Sequence, residues 1–151
     1  MADDIVITGV EQLAALGVRL KVAGAKDLRR ELLAGLRVAA KPLVADARAA
    51  ATAQLPKRGG LNARVAKDPI LIRNRLTGSG VGVRIVTTTS DTRGANRGTW
   101  RHPVFKTGAW VEQTYAPAKG WFDDTLTKAA PAARVQILAA MESVALKITK
   151  L

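Results

Sequence analysis

Residues 98–121 read Gly98-Thr99-Trp100-Arg101-His102-Pro103-Val104-Phe105-Lys106-Thr107-Gly108-Ala109-Trp110-Val111-Glu112-Gln113-Thr114-Tyr115-Ala116-Pro117-Ala118-Lys119-Gly120-Trp121, and Phe122 follows. All three tryptophans, the one tyrosine, the one histidine and one of the two phenylalanines fall in this stretch, in a chain with only 4% aromatic residues. Large aromatics supply much of the apolar area a small core can bury. Trp100, Phe105, Trp110, Tyr115, Trp121 and Phe122 are therefore candidate packing residues. Trp, Tyr and Arg also carry interface hot spots, so the same six are candidate assembly contacts. Trp110, Trp121 and Phe122 are expected, mostly buried, where a sheet meets the C-terminal helix. Residues 104–105 and 109–115 read as two short extended pieces around Lys106-Thr107-Gly108. The two-residue period puts Trp110, Glu112 and Thr114 on one face and Val111, Gln113 and Tyr115 on the other.

Outward from this stretch, Phe122, Leu126, Ala129, Ala133, Ile137, Ala140, Val144 and Ile148 recur at helical spacing. Pro131 interrupts the pattern, which predicts a helix starting near Ala130 or Ala132, with residues 121–128 as a preceding turn or short helix. On the N-terminal side, residues 90–101 are polar, with Gly94, Gly98, Arg93, Arg97 and Arg101, and read as a long loop. Residues 81–89 are rich in β-branched residues and form the clearest strand. Residues 70–76 alternate more weakly, and the turn Thr77-Gly78-Ser79-Gly80 between them suggests a β-hairpin. Residues 57–67 hold the double glycine Gly59-Gly60, a bend, with a short helix starting over 61–65. The phosphate-loop spacing is absent there.

Residues 25–54 are the strongest helical segment. Leu28, Leu32, Leu36, Ala39, Leu43, Ala47 and Ala50 make one stripe, and Arg29, Arg30, Arg37, Asp46 and Arg48 fall largely off it. Pro42 predicts a kink or a break into two helices. Before it, Val10, Leu13, Leu16 and Leu20 recur at helical spacing, weakened by Gly9 and Gly17. Ile5, Val6 and Ile7 read as a short strand or an ordered arm. The fold class is α+β: a small antiparallel or mixed sheet of three to four strands packed against a long N-terminal helix and a C-terminal helix. At 151 residues this is one expected domain over 1–151, with basic loops at 56–67 and 90–101.

Lys and Arg number 24 against 12 Asp and Glu, a net charge of +12. From Arg48 to Lys106 there are twelve basic residues and two acids, Asp68 and Asp91. Such a field favours polyanions, whether nucleic acid or an acidic protein. Lys57, Arg58, Arg93, Arg97 and Arg101 are the candidate contacts, set against the simpler reading of a solvated face. Cysteine is absent, which removes disulfides and thiolate chemistry and fits a reducing compartment. No run of about 20 apolar residues is present to span a membrane, and Met-Ala-Asp-Asp lacks the basic start of a secretion signal. A single histidine without cysteine makes no His/Cys metal site. Asp123 and Asp124 are adjacent and diverge, and no nucleophile elbow surrounds Ser79, Ser90 or Ser143. The reading is of a non-enzyme, without catalytic residues, metal or cofactor. No zinc-finger, basic-zipper or RNA-binding consensus supports base-specific reading.

Arg101-His102-Pro103-Val104-Phe105, then Trp110-Val111-Glu112-Gln113, then Gly120-Trp121-Phe122 and an alanine-rich C-terminal helix, resemble a family of tailed-phage proteins. These are the neck, head–tail joining or tail-component proteins of long-tailed phages, and the actinobacteriophage branch is the most similar. Leu55-Pro56-Lys57-Arg58-Gly59-Gly60-Leu61 and Gly82-Val83-Arg84-Ile85 share the likeness, which covers residues 28–148. Members often have glycine where this chain has Lys106, and proline where it has Lys119. The resemblance implies a structural virion protein at the head–tail junction, assembled in the host cytoplasm. It implies a homo-oligomeric ring, hexameric or alternatively dodecameric, between a connector or stopper ring and the tail tube. Genomic double-stranded DNA would pass through it without sequence reading. A tail terminator capping the tube, or a free non-specific DNA-binding protein, is the alternative. In the ring reading the five cations face the lumen or an acidic neighbouring ring.

Overall fold

The spine of the molecule is one long helix, and its length follows from an uninterrupted buried stripe. In the computed structural model, which describes residues 4–6, 12–76, 82–104 and 106–150, this helix is α2, Lys26–Gln54. Leu32, Leu36, Ala39, Ala40, Leu43, Ala47, Ala50 and Ala51 are buried along it. The C-terminal helix α5, Trp121–Ile148, buries Trp121, Phe122, Leu126, Ala133, Ile137, Met141 and Val144. The two run antiparallel. Lys147 pairs with Glu31 near one end, and a Cβ placed on Gly35 would stand 3.0 Å from Ala140 Cβ. Small residues at the contact let the backbones approach closely.

Both helices run through a proline. Of the two outcomes expected at Pro42, the break into two helices does not occur, and the expected start of α5 near Ala130 or Ala132 is corrected: α2 and α5 are each continuous. Proline removes the bond to the carbonyl four residues earlier and crowds it. Pro42 and Pro131 are exposed, as are Val38 and Thr127 four residues before them, so the freed carbonyls lie on the solvent side. Burial on either side of each proline then holds the helix together: Leu36 and Leu43 in α2, Leu126 and Ile137 in α5.

Helix α1, Gln12–Val22, packs Leu13, Leu16 and Leu20 into the same core. Val10 lies outside the described residues. Gly17, read from sequence as a weakness, is a contact: a Cβ there would fall 2.5 Å from Leu76 O. Glycine lets the end of a strand cross the helix.

The main sheet has three antiparallel strands in the order β1-β3-β2: β1 Asp4–Val6, β2 Ile70–Arg75 and β3 Gly82–Thr87. Ile72 stands opposite Ile85 and Arg73 opposite Arg84, which fixes the expected hairpin register. The turn residues 77–80 lie outside the described residues. Ile70, Ile72, Val83 and Ile85 join or flank the helical core. The α+β class and its two long helices are as expected. The strands divide, however, between this sheet and a separate two-stranded one, β4 Thr99–Pro103 with β5 Trp110–Thr114.

Among the described residues, two short α-helices and the single 3-10 turns Arg58–Gly60 and Ala116–Ala118 complete the fold. α3, Leu61–Lys67, follows the turn at Arg58–Gly60, so the basic segment 56–67 is mostly helical. α4, Ser90–Arg97, replaces the loop expected over 90–101. The Thr89 side chain accepts from Thr92 N, Asp91 sits in the first turn, and Gly98 ends the helix at φ 77°. These are start and stop signals, but the buried face is Thr92, Gly94, Ala95 and Asn96. It carries no apolar stripe for periodicity to detect. The first extended piece also shifts, from 104–105 to Thr99–Pro103. There Thr99 and Trp100 pair with Thr114 and Gln113.

Candidate functional site

The aromatic stretch divides into a buried end and an exposed arm. Trp121 is 1% exposed and Phe122 0%. Their rings meet edge-to-face with centroids 5.4 Å apart. Trp100 is half-buried and packs on the core cluster. Gly94 makes room for it: a Cβ there would lie 2.8 Å from Thr99 O and 3.1 Å from Trp100 Cβ. Trp110 departs from expectation. It is 59% exposed, with Tyr115 37% and Val111 39% exposed. The reason is its strand: all five residues of β5 are exposed, and β5 packs mainly on β4. The expected sheet-to-helix junction is therefore made by Trp121 and Phe122 without Trp110. Phe105 lies outside the described residues.

The arm is held at its base. Tyr115 N donates to Gly98 O at 2.8 Å, and Val104 N donates to Ala109 O at 2.7 Å near the tip. Arg101 stands opposite Glu112, and Pro103 opposite Trp110. Lys106 in the connecting turn has φ 79°, a left-handed conformation that glycine adopts more easily than a side-chain-bearing residue.

A polar knot joins the two basic segments. The hydroxyls of Thr89 and Thr92 donate to Asp68 Oδ2 at 2.5 and 2.6 Å. Arg64 Nε lies 2.9 Å from Asp91 Oδ2. α3 and the start of α4 are thus fastened together. Of the five candidate cations, Lys57, Arg58, Arg97 and Arg101 are exposed. Arg93 is half-buried, and its guanidinium donates to Thr88 O at 2.9 Å and to Thr89 O at 3.4 Å. It braces the entry to α4 more than it serves a partner.

One buried polar residue escaped the sequence reading. Asn96 is 5% exposed. Its Oδ1 accepts from Phe122 N at 3.0 Å and Asp123 N at 3.3 Å, and its Nδ2 donates to Asp123 Oδ2 at 2.9 Å. Gly120 N donates to Asn96 O at 2.7 Å. The residue preceding α5 is Gly120, which has no side chain to cap with, so Asn96 caps the helix from another element. The sequence signal was Gly120 directly before an apolar helical stripe, a start with no local cap.

His102 is half-buried, with Nδ1 3.2 Å from Pro103 O. Among the described residues no three His, Cys, Asp or Glu side chains group as a metal site, and no helix is long and apolar enough to cross a membrane. Comparisons with protein-family models, curated proteins and solved structures found no match.

Proposed function

We propose that this chain is a non-catalytic structural subunit of a tailed-phage head–tail junction, acting as a neck or tail-completion protein. Copies form a ring, hexameric in this reading and dodecameric in the alternative, between the head connector and the tail tube. One observation carries the assembly role: the β4–β5 arm exposes Trp110, Val111 and Tyr115 while β5 packs mainly on β4. α4 and the core hold β4, which leaves β5 as the uncovered strand, and exposed aromatics of this kind are interface anchors. A neighbouring subunit would cover them. The phage assignment itself comes from the ordered motifs between residues 28 and 148. The turn at Lys106 agrees with it, because the family often has glycine at this left-handed position.

The net charge of +12 favours a second reading, a free non-specific DNA-binding protein. In the ring reading, Lys57, Arg58, Arg97 and Arg101 face the DNA channel or an acidic neighbouring ring. The discriminating experiment is electron microscopy of virions and of the purified protein. Density for this chain at the portal–tail junction, with rings in solution, supports the neck reading. Density at the end of the tail tube selects the terminator reading. A monomer absent from virions that binds duplex DNA, with affinity falling steeply as salt rises, overturns both.

A further inference from the structure

A groove along the edge of β2 stands apart from the aromatic arm. β3 is the central strand, and β2 pairs with it alone among the described residues. The other edge of β2 therefore presents an open row of backbone donors and acceptors. Ile70, Leu71 and Ile72 line the groove together. Successive strand residues point to opposite faces, so a groove that touches all three follows the strand's edge. Val44 and Ala45 of α2 continue its aliphatic floor.

The rim is cationic. Arg37, Lys41 and Arg48 of α2 border the groove, and an adjoining cavity that shares Arg37 and Ile72 extends it past Arg73. Among the described residues, no acidic residue lines either part. Arg37, Lys41, Arg48 and Arg73 have no ion-pair partner among the described residues. Asn74 Nδ2 donates to Leu33 O at 3.2 Å and ties β2 to α2, so the two walls are fixed relative to each other.

We propose that this groove binds an extended acidic segment of another protein, which adds to β2 as a further strand. Backbone hydrogen bonds along the open edge would hold it. Asp or Glu side chains on the face toward α2 would lie among Arg37, Lys41 and Arg48, and the alternate aliphatic side chains on the other face would rest beside Leu71. A nucleic acid suits the site less well, because among the described residues no aromatic ring lines it to stack a base and a phosphodiester offers no backbone N–H groups to a strand edge. A second copy of this chain suits it less still. Pairing two such edges would set arginines against arginines, and like charges directly opposed are destabilising.

The test uses the full chain and a fluorescent synthetic peptide of alternating glutamate and valine. One control peptide has its central valine replaced by proline, and the other probe is duplex DNA. Anisotropy is expected to show saturable binding of the alternating peptide. The proline control should bind about tenfold more weakly, through the loss of one or two backbone bonds. Amides of β2 should gain hydrogen-exchange protection. Arg37→Ala with Lys41→Ala should weaken binding roughly fivefold to tenfold, as expected for two exposed ion pairs. Both residues are exposed, so the melting temperature should not move. Trp110→Ala should leave peptide binding unchanged, which separates this site from the assembly arm. Equal binding of the proline control, protection mapping away from β2, or DNA protecting β2 where the peptide does not would each overturn the proposal. No peptide binding would also overturn it, leaving the arginines as guards against edge pairing.

Discussion

Replacing Asn96 with alanine removes a cap that no neighbour in sequence supplies. The backbone bond from Gly120 N to Asn96 O survives the change. The side-chain bonds from Phe122 N and Asp123 N, and to Asp123 Oδ2, do not. Losing a helix cap costs about 0.5–2 kcal/mol. A buried donor left without a partner costs about 1–3 kcal/mol. Only the Phe122 amide is fully buried, so the penalties do not simply add, and the expected loss is about 2–3 kcal/mol. For a chain of this size that lowers the melting temperature by about 5–10 °C. Circular dichroism melts of the parent and of Asn96→Ala measure it directly. Asp123→Ala separates the contributions. It removes the Asn96 Nδ2 bond and a favourable charge at the helix start but leaves both capped amides, so about 1 kcal/mol is expected. Asn96→Asp keeps the acceptor but sets a second carboxylate against Asp123 Oδ2, so it should be less stable than the parent at neutral pH and gain on the parent as acid neutralises the pair. A melting temperature for Asn96→Ala within about 1 °C of the parent would refute the capping argument, as would a loss no larger than that of Asp123→Ala.

The two ends of the aromatic stretch should respond in opposite ways. Trp121→Ala empties a site 1% exposed and should cost about 3–5 kcal/mol in chemical denaturation. Trp110→Ala should change stability by less than about 0.5 kcal/mol yet reduce ring formation, seen by light scattering or negative-stain microscopy. Lys106→Gly relieves a left-handed backbone position and should stabilise by up to about 1 kcal/mol, net of the entropy glycine adds. Changing Lys57, Arg58, Arg97 and Arg101 together to glutamine should leave the melting temperature unchanged. If these residues meet phosphates, the slope of log affinity against log salt on duplex DNA should flatten by up to about four.

What was legible in the sequence was what apolar periodicity encodes. The stripe from Leu32 to Ala50 and the β-branched run around Ile85 each write their secondary structure in a repeating pattern, and both elements form where expected. Pro131 misled, as did the break allowed at Pro42, because a proline's local cost is read without the tertiary burial that overrides it. Residues 90–97 misled for the opposite reason. Their helix is specified by a cap at Thr89 and a stop at Gly98, and its buried face is polar. The same polar face holds Asn96, whose role depends on a helix start 25 residues later in the chain. Gly120 before the apolar stripe signals a start that lacks its own cap, but nothing in the sequence around Asn96 says that Asn96 supplies it.

The aromatic stretch shows where composition stops being informative. Trp110 and Trp121 lie in one short segment with equally apolar side chains, and composition treats them alike. Position separates them: Trp121 opens a helix that lies against the core, whereas Trp110 sits at the far end of a strand whose main contact is a second strand. β4 packs on α4 and places Trp100 against the core, but no further layer of the described residues covers β5, so Trp110 stays in water. That exposure costs the lone subunit the burial a tryptophan usually gains. In the proposed ring, a neighbouring subunit covering the arm would recover that burial.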